Sequence, residues 1–273
     1  IIRICKTKMA DPYQALVRFL AVHDRIALAF SGGTDSSLLA AAAKEAAVKV
    51  LAVTISSEFQ TRKDLDHALH MAKALRLSHE VMDTRVLEDQ KIRENSRDRC
   101  YWCKRRLFSL VKKKAIEKGF HVMAHGANLD DLKDFRPGFR AAQEAGFLAP
   151  LIDAGLTKAH IRNYSKDLGL ETWNLPSQSC LAARIPYNEA ISLEKLARIE
   201  KAETILHDLG FASVRVRHHR TLARIEMATK DMNLFMARGL GQTIADRFRE
   251  LGFTHTALDL EGYCSGSLNR ALD

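Results

Sequence analysis

Residues 25–43 read RIALAFSGGTDSSLLAAAA: an apolar run, a turn without bulky side chains, and an Ala/Leu-rich run. The pattern predicts a brief strand over 25–30 that ends at Gly32 and Gly33, and a helix over 35–47 that starts just past them. Such a turn aims successive backbone N–H groups and a helix N-terminus at one point, which attracts an anion. Two glycines let the backbone approach an oxygen closely, and Ser31, Ser36 and Ser37 add hydroxyl donors. A serine-capped strand-to-helix turn without a ligand is the plain alternative.

The same rhythm continues down the chain. VKVLAVTI (48–55) reads as a buried strand, and 62–77 as a helix with Leu65, Leu69, Ala72 and Leu75 at helical spacing. HEVMD (79–83) is a possible third strand, a basic helix is expected over 104–118, and HVMAHG (121–126) reads as another strand. Strands alternating with helices imply right-handed crossovers and a parallel sheet with helices on both faces, an α/β fold.

Beyond about residue 187 the rhythm changes to helix, hairpin, helix, strand. SLEKLARIEKAETILHDLG gives the first helix, SVRVRHH and LARIEMA the hairpin, GQTIADRFRELG the second helix and HTALDL the last strand. That order fits a smaller α+β domain with its own sheet. The expected organisation is a first domain over 1–187 and a second over 188–273, the latter for substrate binding or oligomerisation.

The 273 residues carry 42 Lys and Arg against 33 Asp and Glu, a net of +9, which favours anionic partners. The basic residues are dispersed apart from KKK (112–114) and RVRHHR (215–220), so a phosphorylated small molecule is favoured over a nucleic-acid groove. The longest apolar stretches fall far short of the ~20 residues of a membrane span. The N-terminal stretch shows no apolar region followed by a cleavage site, so a cytoplasmic protein is expected. Five cysteines, Cys5, Cys100, Cys103, Cys180 and Cys264, then point to thiol chemistry, metal or catalysis before disulfides. Cys5 reads as a small buried hydrophobe.

The glycine turn lacks the Gly-Lys-Ser/Thr of a Walker A loop and is not a GxGxxG turn. It matches S-G-G-x-D-S and resembles the PP-loop of the ATP pyrophosphatase superfamily, with its adenine nucleotide alpha hydrolase-like fold. That resemblance implies that ATP binds here, with Ser31, Gly32, Gly33, Asp35 and Ser36 holding the β and γ phosphates as leaving pyrophosphate while a substrate attacks the α phosphate. Asp35 beside phosphates needs Mg²⁺ between them or another donor to face.

Three further stretches narrow the reading: NSRDRCYWCKRRLF (95–108) with Cys100-x-x-Cys103 just before a helix, HGANLDDLKDFRPGFRA (125–141) with Asp130, Asp131 and Asp134, and LPSQSCLAARIPY (175–187) with Cys180. Together with the PP-loop, and with VRVRHHRTLARIEM and LDLEGYCSGSLN near the C-terminus, they resemble the LarE family of ATP-dependent sulfur transferases, which build the nickel-pincer nucleotide cofactor of lactate racemase. The resemblance spans nearly the whole chain.

It implies that ATP adenylates a carboxylate of pyridinium-3,5-biscarboxylic acid mononucleotide, that sulfur displaces AMP to leave a thiocarboxylate, and that the second carboxylate follows. It also implies a homohexamer. Some members sacrifice the sulfur of a single cysteine, matching Cys180. Others carry the C-x-x-C as well and hold a 4Fe–4S cluster on three thiolates, which leaves one iron open for a sulfide from an outside donor. Cys100, Cys103 and Cys180 are the expected ligands. A sacrificial Cys180 with accessory thiols, zinc, or an inert pair are the alternatives.

Asp130 and Asp131 fall after a strand, at the sheet edge where doubly wound folds bind ligands, and are candidates for metal or substrate positioning. Arg136 and Arg184 are candidate partners for phosphate or carboxylate oxygens. Trp102 is a candidate stacking surface for pyridinium or adenine, or packing beside the cysteines. Arg215, Arg217 and Arg224 are candidates to seat the mononucleotide phosphate, with a solvated hairpin as the alternative. His218 and His219, adjacent on a strand, point to opposite faces and do not form a metal pair. Cys264 stands where the family has arginine, and Ala127 and Ala183 where threonine and serine are common. The first of these leaves a fourth thiolate open.

Two other functions fit parts of the pattern. Thiolation of tRNA by a PP-loop enzyme uses a similar cysteine trio, but no separate RNA-binding module is visible. A non-catalytic ATP-binding module needs only the glycine turn. Amide-forming synthetases share that turn and have no use for three cysteines.

Overall fold

A computed structural model of the chain describes residues 11–133, 137–176, 179–264 and 267–272. They form two compact units. The first takes the residues up to Ile55, Asp64–Met82 and Leu107–Leu175; the second takes Ser56–Lys63, Asp83–Arg106 and everything from Pro176 onward. Among the described residues no helix is long and apolar enough to cross a membrane.

In the first unit, α1 (Pro12–Leu20) starts where the Asp11 carboxylate accepts from the Tyr13 N–H at 3.0 Å, and it buries Tyr13, Leu16 and Leu20. The chain continues through β1 (Arg25–Ala29), α2 (Thr34–Glu45), β2 (Lys49–Ser56), α3 (Arg62–Ala74) and β3 (Ser78–Asp83). α4 (Gln90–Arg93) and the start of α5 (Arg99–Glu117) belong to the second unit; the rest of α5 returns to the first, followed by β4 (Met123–His125), α6 (Pro137–Glu144), α7 (Pro150–Asp153) and α8 (Lys158–Asp167).

The four strands lie in the order β3-β2-β1-β4. β1 pairs in parallel with β2, Ile26 opposite Val50, and with β4, Ala27 opposite Met123. β1 is flanked by β2 on one side and β4 on the other, so the strand order reverses at β1. A parallel sheet opens a crevice beyond the carboxyl ends of its strands at such a switch point. Both the glycine turn after β1 and the acidic loop after β4 emerge there. The core is built from Ile26, Leu28, Leu38, Leu39, Val50 and Met71 with their neighbours.

Two expectations shift. α3 buries Ala68, Met71 and Ala72, whereas Leu69 is 42% exposed. The buried face is the one that admits a neighbouring backbone, and only a small side chain fits at residue 68. α5 begins at Arg99, carried back by the Trp102 N–H to Asp98 carbonyl bond at 3.1 Å. Cys100 and Cys103 therefore sit inside the start of the helix and not ahead of it.

In the second unit, α9 (Leu193–Asp208) is capped by Ser192. It leads into β5 (Val214–His219) and β6 (Leu222–Met227), then α10 (Thr229–Ala237), α11 (Gly241–Glu250) and β7 (His255–Leu258). β5 and β6 are antiparallel, β6 and β7 parallel, in the order β5-β6-β7. α10 was not legible in TKDMNLFMA, because a single buried residue, Phe235, faces the core. Leu206, Phe211, Val216, Ile225, Phe248 and Phe253 fill the centre.

Candidate active site

The glycine turn is fixed by a set of short-range contacts at the start of α2. Gly32 has φ +71°, and a Cβ there would lie 2.6 Å from the Ala68 Cα, so both conformation and space demand glycine. Gly33 caps α2 without a side-chain hydrogen bond, leaving the first N–H groups of the helix without intrahelical acceptors. Ser31 Oγ lies 3.2 Å from Ser36 Oγ and accepts from the Gly33 N–H at 3.3 Å, while Ser36 Oγ donates to the Gly33 carbonyl at 3.1 Å. Three hydroxyl and amide groups thus converge at the start of α2. Thr34 Oγ1 anchors the same turn to the Thr172 carbonyl at 2.8 Å.

Asp35 faces donors. Lys158 Nζ lies 2.5 Å from its Oδ2, and Asn128 Nδ2 donates to its Oδ1 at 3.1 Å. The acidic loop is tied into this pair: the Asn128 N–H donates to Asp131 Oδ2 at 3.0 Å, the Asp130 N–H to Asn128 Oδ1 at 3.0 Å, and the Lys158 N–H to Asp130 Oδ2 at 2.8 Å. Gly126 permits the approach, since a Cβ there would stand 3.1 Å from the Ser36 nitrogen. The structure thus brings Ser31, Gly32, Gly33, Asp35, Ser36, Asp130 and Asp131 together. Arg136 and Asp134 lie outside the described residues, as does Cys5.

The cysteines belong to the second unit. Cys100 and Cys103 are half-buried; Cys180 and Cys264 are exposed, and all four are free thiols. Burial, with the charge of Cys180 adding to it, pushes the Cys103 thiol up to about 12. Arg99 is buried at 2% exposure and donates to Asn95 Oδ1 at 2.5 Å, to the Ala182 carbonyl at 3.0 Å and to Cys100 Sγ at 3.4 Å. Burial alone would lower its pKa, but the charges of Cys180 and Cys100 drive it upward overall. Arg99 therefore links the CxxC turn to the backbone two residues past Cys180. The Leu181 N–H also donates to the Phe59 carbonyl at 2.9 Å. Among the described residues, no three His, Cys, Asp or Glu side chains stand together as a metal-holding group. The three thiols supply the donor chemistry of a cluster but not, in this arrangement, its ligand geometry.

Arg184 holds carboxylate oxygens of the protein itself, together with backbone carbonyls. It is 4% exposed, forms a two-pronged pair with Glu203 at 2.9 and 3.0 Å, and holds the Ser179 and Cys180 carbonyls at 2.6 and 3.0 Å. Arg217 is engaged in the same way: Glu226 accepts from it at 2.9 and 2.8 Å, the Ala183 carbonyl at 2.6 Å and Ser267 Oγ at 2.9 Å. Arg224 donates to Glu226 at 3.0 Å and lies 3.3 Å from Asp259. Arg215 is buried and its pKa is lowered, first by burial and then by the positive charge of Arg184. β5 is thus no solvated hairpin strand, and its arginines form a buried positive cluster around two carboxylates.

Trp102 carries cations on its ring, with Lys91 Nζ 3.9 Å and Arg105 Cζ 5.1 Å from the centroid. His218 is buried against Phe253 with Glu189 Oε1 3.7 Å from its Nδ1; among the described residues neither ring nitrogen has a hydrogen-bond partner, and burial lowers its pKa.

Lys158, His67, Arg99 and Glu203 were not apparent in the sequence. Lys158 alone carried a signal: a lysine directly after the capping Thr157 sits at the positive end of the helix dipole, where a cation is disfavoured unless it has a task.

Residues 25–99 match the family described as Queuosine biosynthesis protein QueC. The NMN synthetase structure from Francisella tularensis superposes with a TM-score of 0.51 at 18% identity, covering 61% of this chain and 74% of that one, a likeness of fold. An uncharacterized protein of Synechocystis sp. is 38% identical over 94% of this chain and 96% of its own length. The pyridinium-3,5-bisthiocarboxylic acid mononucleotide synthase of Lactiplantibacillus plantarum is 32% identical over 97% of this chain and 96% of its own. With a fold of this kind, a complete S-G-G-x-D-S turn and a relative matched from end to end, the chain belongs to the LarE family of PP-loop sulfur transferases.

Proposed function

We propose that this protein converts the carboxylates of pyridinium-3,5-biscarboxylic acid mononucleotide to thiocarboxylates at the expense of ATP. The observation that carries the proposal is the end-to-end relationship to the bisthiocarboxylic acid mononucleotide synthase in a chain that keeps the glycine turn. A carboxylate is a poor electrophile until one oxygen becomes part of a good leaving group. In the first step a substrate carboxylate oxygen attacks the α phosphorus of ATP, and the bond to the β,γ-pyrophosphate breaks. In the second, an anionic sulfur attacks the acyl carbon and AMP leaves. Repetition on the other carboxylate completes the product for the nickel-pincer cofactor.

In this reading Ser31, Gly33 and Ser36 bind the leaving pyrophosphate with the N-terminus of α2, Gly32 gives the backbone its close approach, and Lys158 contributes charge. Asp130 and Asp131, with Asp35, are the proposed contacts for Mg²⁺. Arg215 seats the substrate phosphate, while Arg184, Arg217 and Arg224 hold the surrounding backbone and carboxylates. Trp102, already a cation-binding ring, is the proposed face for the pyridinium.

Cys100, Cys103 and Cys180 are the proposed sulfur site; drawn closer together than they stand here, their thiolates would hold a 4Fe–4S cluster, which would supply sulfur taken from an outside sulfide donor. Arg99 keeps the CxxC turn and the Cys180 segment joined. The first unit is the proposed activating domain and the second the proposed sulfur and substrate domain, in a cytoplasmic homohexamer.

The test is pyrophosphate release by the full chain with Mg²⁺-ATP. Release that requires the pyridinium dicarboxylate supports the reading. Tight ATP binding with no release in its presence leaves only a nucleotide-binding module.

A further inference from the structure

The glycine turn has a rear wall that belongs to α3. His67 Nε2 lies 3.1 Å from the Gly32 carbonyl oxygen, and Ser37 Oγ donates to the same oxygen at 3.2 Å. A carbonyl only accepts, so the Nε2 of His67 carries the proton in this contact. Ala68, the next residue, presses its backbone against Gly32.

The Gly32 carbonyl and the Gly33 N–H belong to one planar trans peptide and point in opposite directions. Holding the carbonyl on the side of α3 turns the Gly33 N–H toward the hydroxyl of Ser31, which in turn lies 3.2 Å from that of Ser36. Glycine at φ +71° has no Cβ to resist rotation of that peptide. Rotated, it would present a carbonyl oxygen to an anion in place of an N–H.

We infer that His67 is a positioning residue for pyrophosphate: by binding the Gly32 carbonyl it fixes the Gly33 N–H as a donor in the anion cradle. The inference rests on the proposed ATP chemistry and adds a residue of α3 to it. His67 itself touches no phosphate. The imidazole acts through the orientation of one peptide, and Ser37 shares the load.

The experiment is calorimetric titration of the full chain with Mg²⁺-pyrophosphate, in the wild type and in His67→Leu, His67→Gln and Ser37→Ala, with thermal midpoints as the check on folding. Loss of one such hydrogen bond weakens binding about tenfold, so His67→Leu is expected to bind pyrophosphate about tenfold more weakly. Gln places an N–H at a similar reach, so His67→Gln is expected to recover most of the loss. Ser37→Ala is expected to weaken binding in the same direction, and the KM for the pyridinium substrate to stay unchanged in all three. Wild-type affinity in a folded His67→Leu, or equal losses in the Leu and Gln variants, overturns the inference. Absence of pyrophosphate binding by the wild type overturns the reading on which it rests.

Discussion

Lys158 Nζ stands 2.5 Å from Asp35 Oδ2, joining the first turn of α8 to the first turn of α2. In the proposed chemistry the pair puts a cation beside the glycine turn, where a highly charged leaving group has to be held, and it quiets the carboxylate that would otherwise repel that group. Removing one such preorganised charge typically costs about a hundredfold or more in rate. Lys158→Met is therefore expected to lower kcat/KM for ATP by about that factor, read as pyrophosphate release. A variant with wild-type release would remove Lys158 from the account.

Gly32 is the least replaceable residue of the turn. Alanine there meets both a left-handed backbone and the Ala68 Cα at 2.6 Å. Strain of this kind costs roughly 1–3 kcal/mol, and relief requires α3 to move. Gly32→Ala is expected to lower the denaturant midpoint and abolish pyrophosphate release together. Retention of both would show that the turn tolerates a side chain.

The glycine turn was legible in the sequence because its geometry is local: two glycines and a string of small polar residues leave few other conformations. The parallel sheet was legible for the same reason, in the alternation of short apolar runs and helices. Lys158 was not, being 123 residues from its partner. Arg184 and Arg217 misled in another way. Arginines are usually exposed, and nothing in RVRH or LAAR announces that their guanidiniums fold inward onto Glu203, Glu226 and backbone carbonyls.

Arg184 and Glu203 form a buried pair that also grips the backbone on either side of Cys180. Breaking such a pair by neutralising one partner typically costs about 3–5 kcal/mol, because the other charge stays buried. Glu203→Gln is expected to lose stability on that scale in urea unfolding, and to alkylate faster at Cys180 as its backbone loosens. Wild-type stability would mean that solvent already reaches the pair.

His218, His219 and His79 all have pKa values lowered by burial from a reference of 6.5. The unfolded chain takes up protons at these positions near pH 6.5, while the folded chain resists until its lower values are reached. Their contribution is therefore complete above pH 6.5 and is lost as pH falls below it. The thermal midpoint is expected to drop steadily from pH 7 toward pH 5, and less steeply in His218→Phe. An equal slope in that variant would assign the acid sensitivity elsewhere.

The sulfur site makes its own prediction. If the three cysteines hold a renewable sulfur, intact-protein mass after turnover is unchanged and anaerobically purified protein contains iron. Cys180→Ala is expected to release pyrophosphate and form no thiocarboxylate. A chain lighter by the elements of hydrogen sulfide would instead show Cys180 itself consumed.

The central claim is that adenylation and sulfur transfer occur on one small-molecule carboxylate. Mass spectrometry of the small molecules formed when the protein meets Mg²⁺-ATP, a sulfide source and pyridinium-3,5-biscarboxylic acid mononucleotide tests it most directly. The expected result is AMP and pyrophosphate accumulating in step with a mononucleotide in which carboxylate oxygen has been replaced by sulfur. Release of AMP with the pyridinium carboxylates unchanged, or ADP in place of AMP, would contradict it.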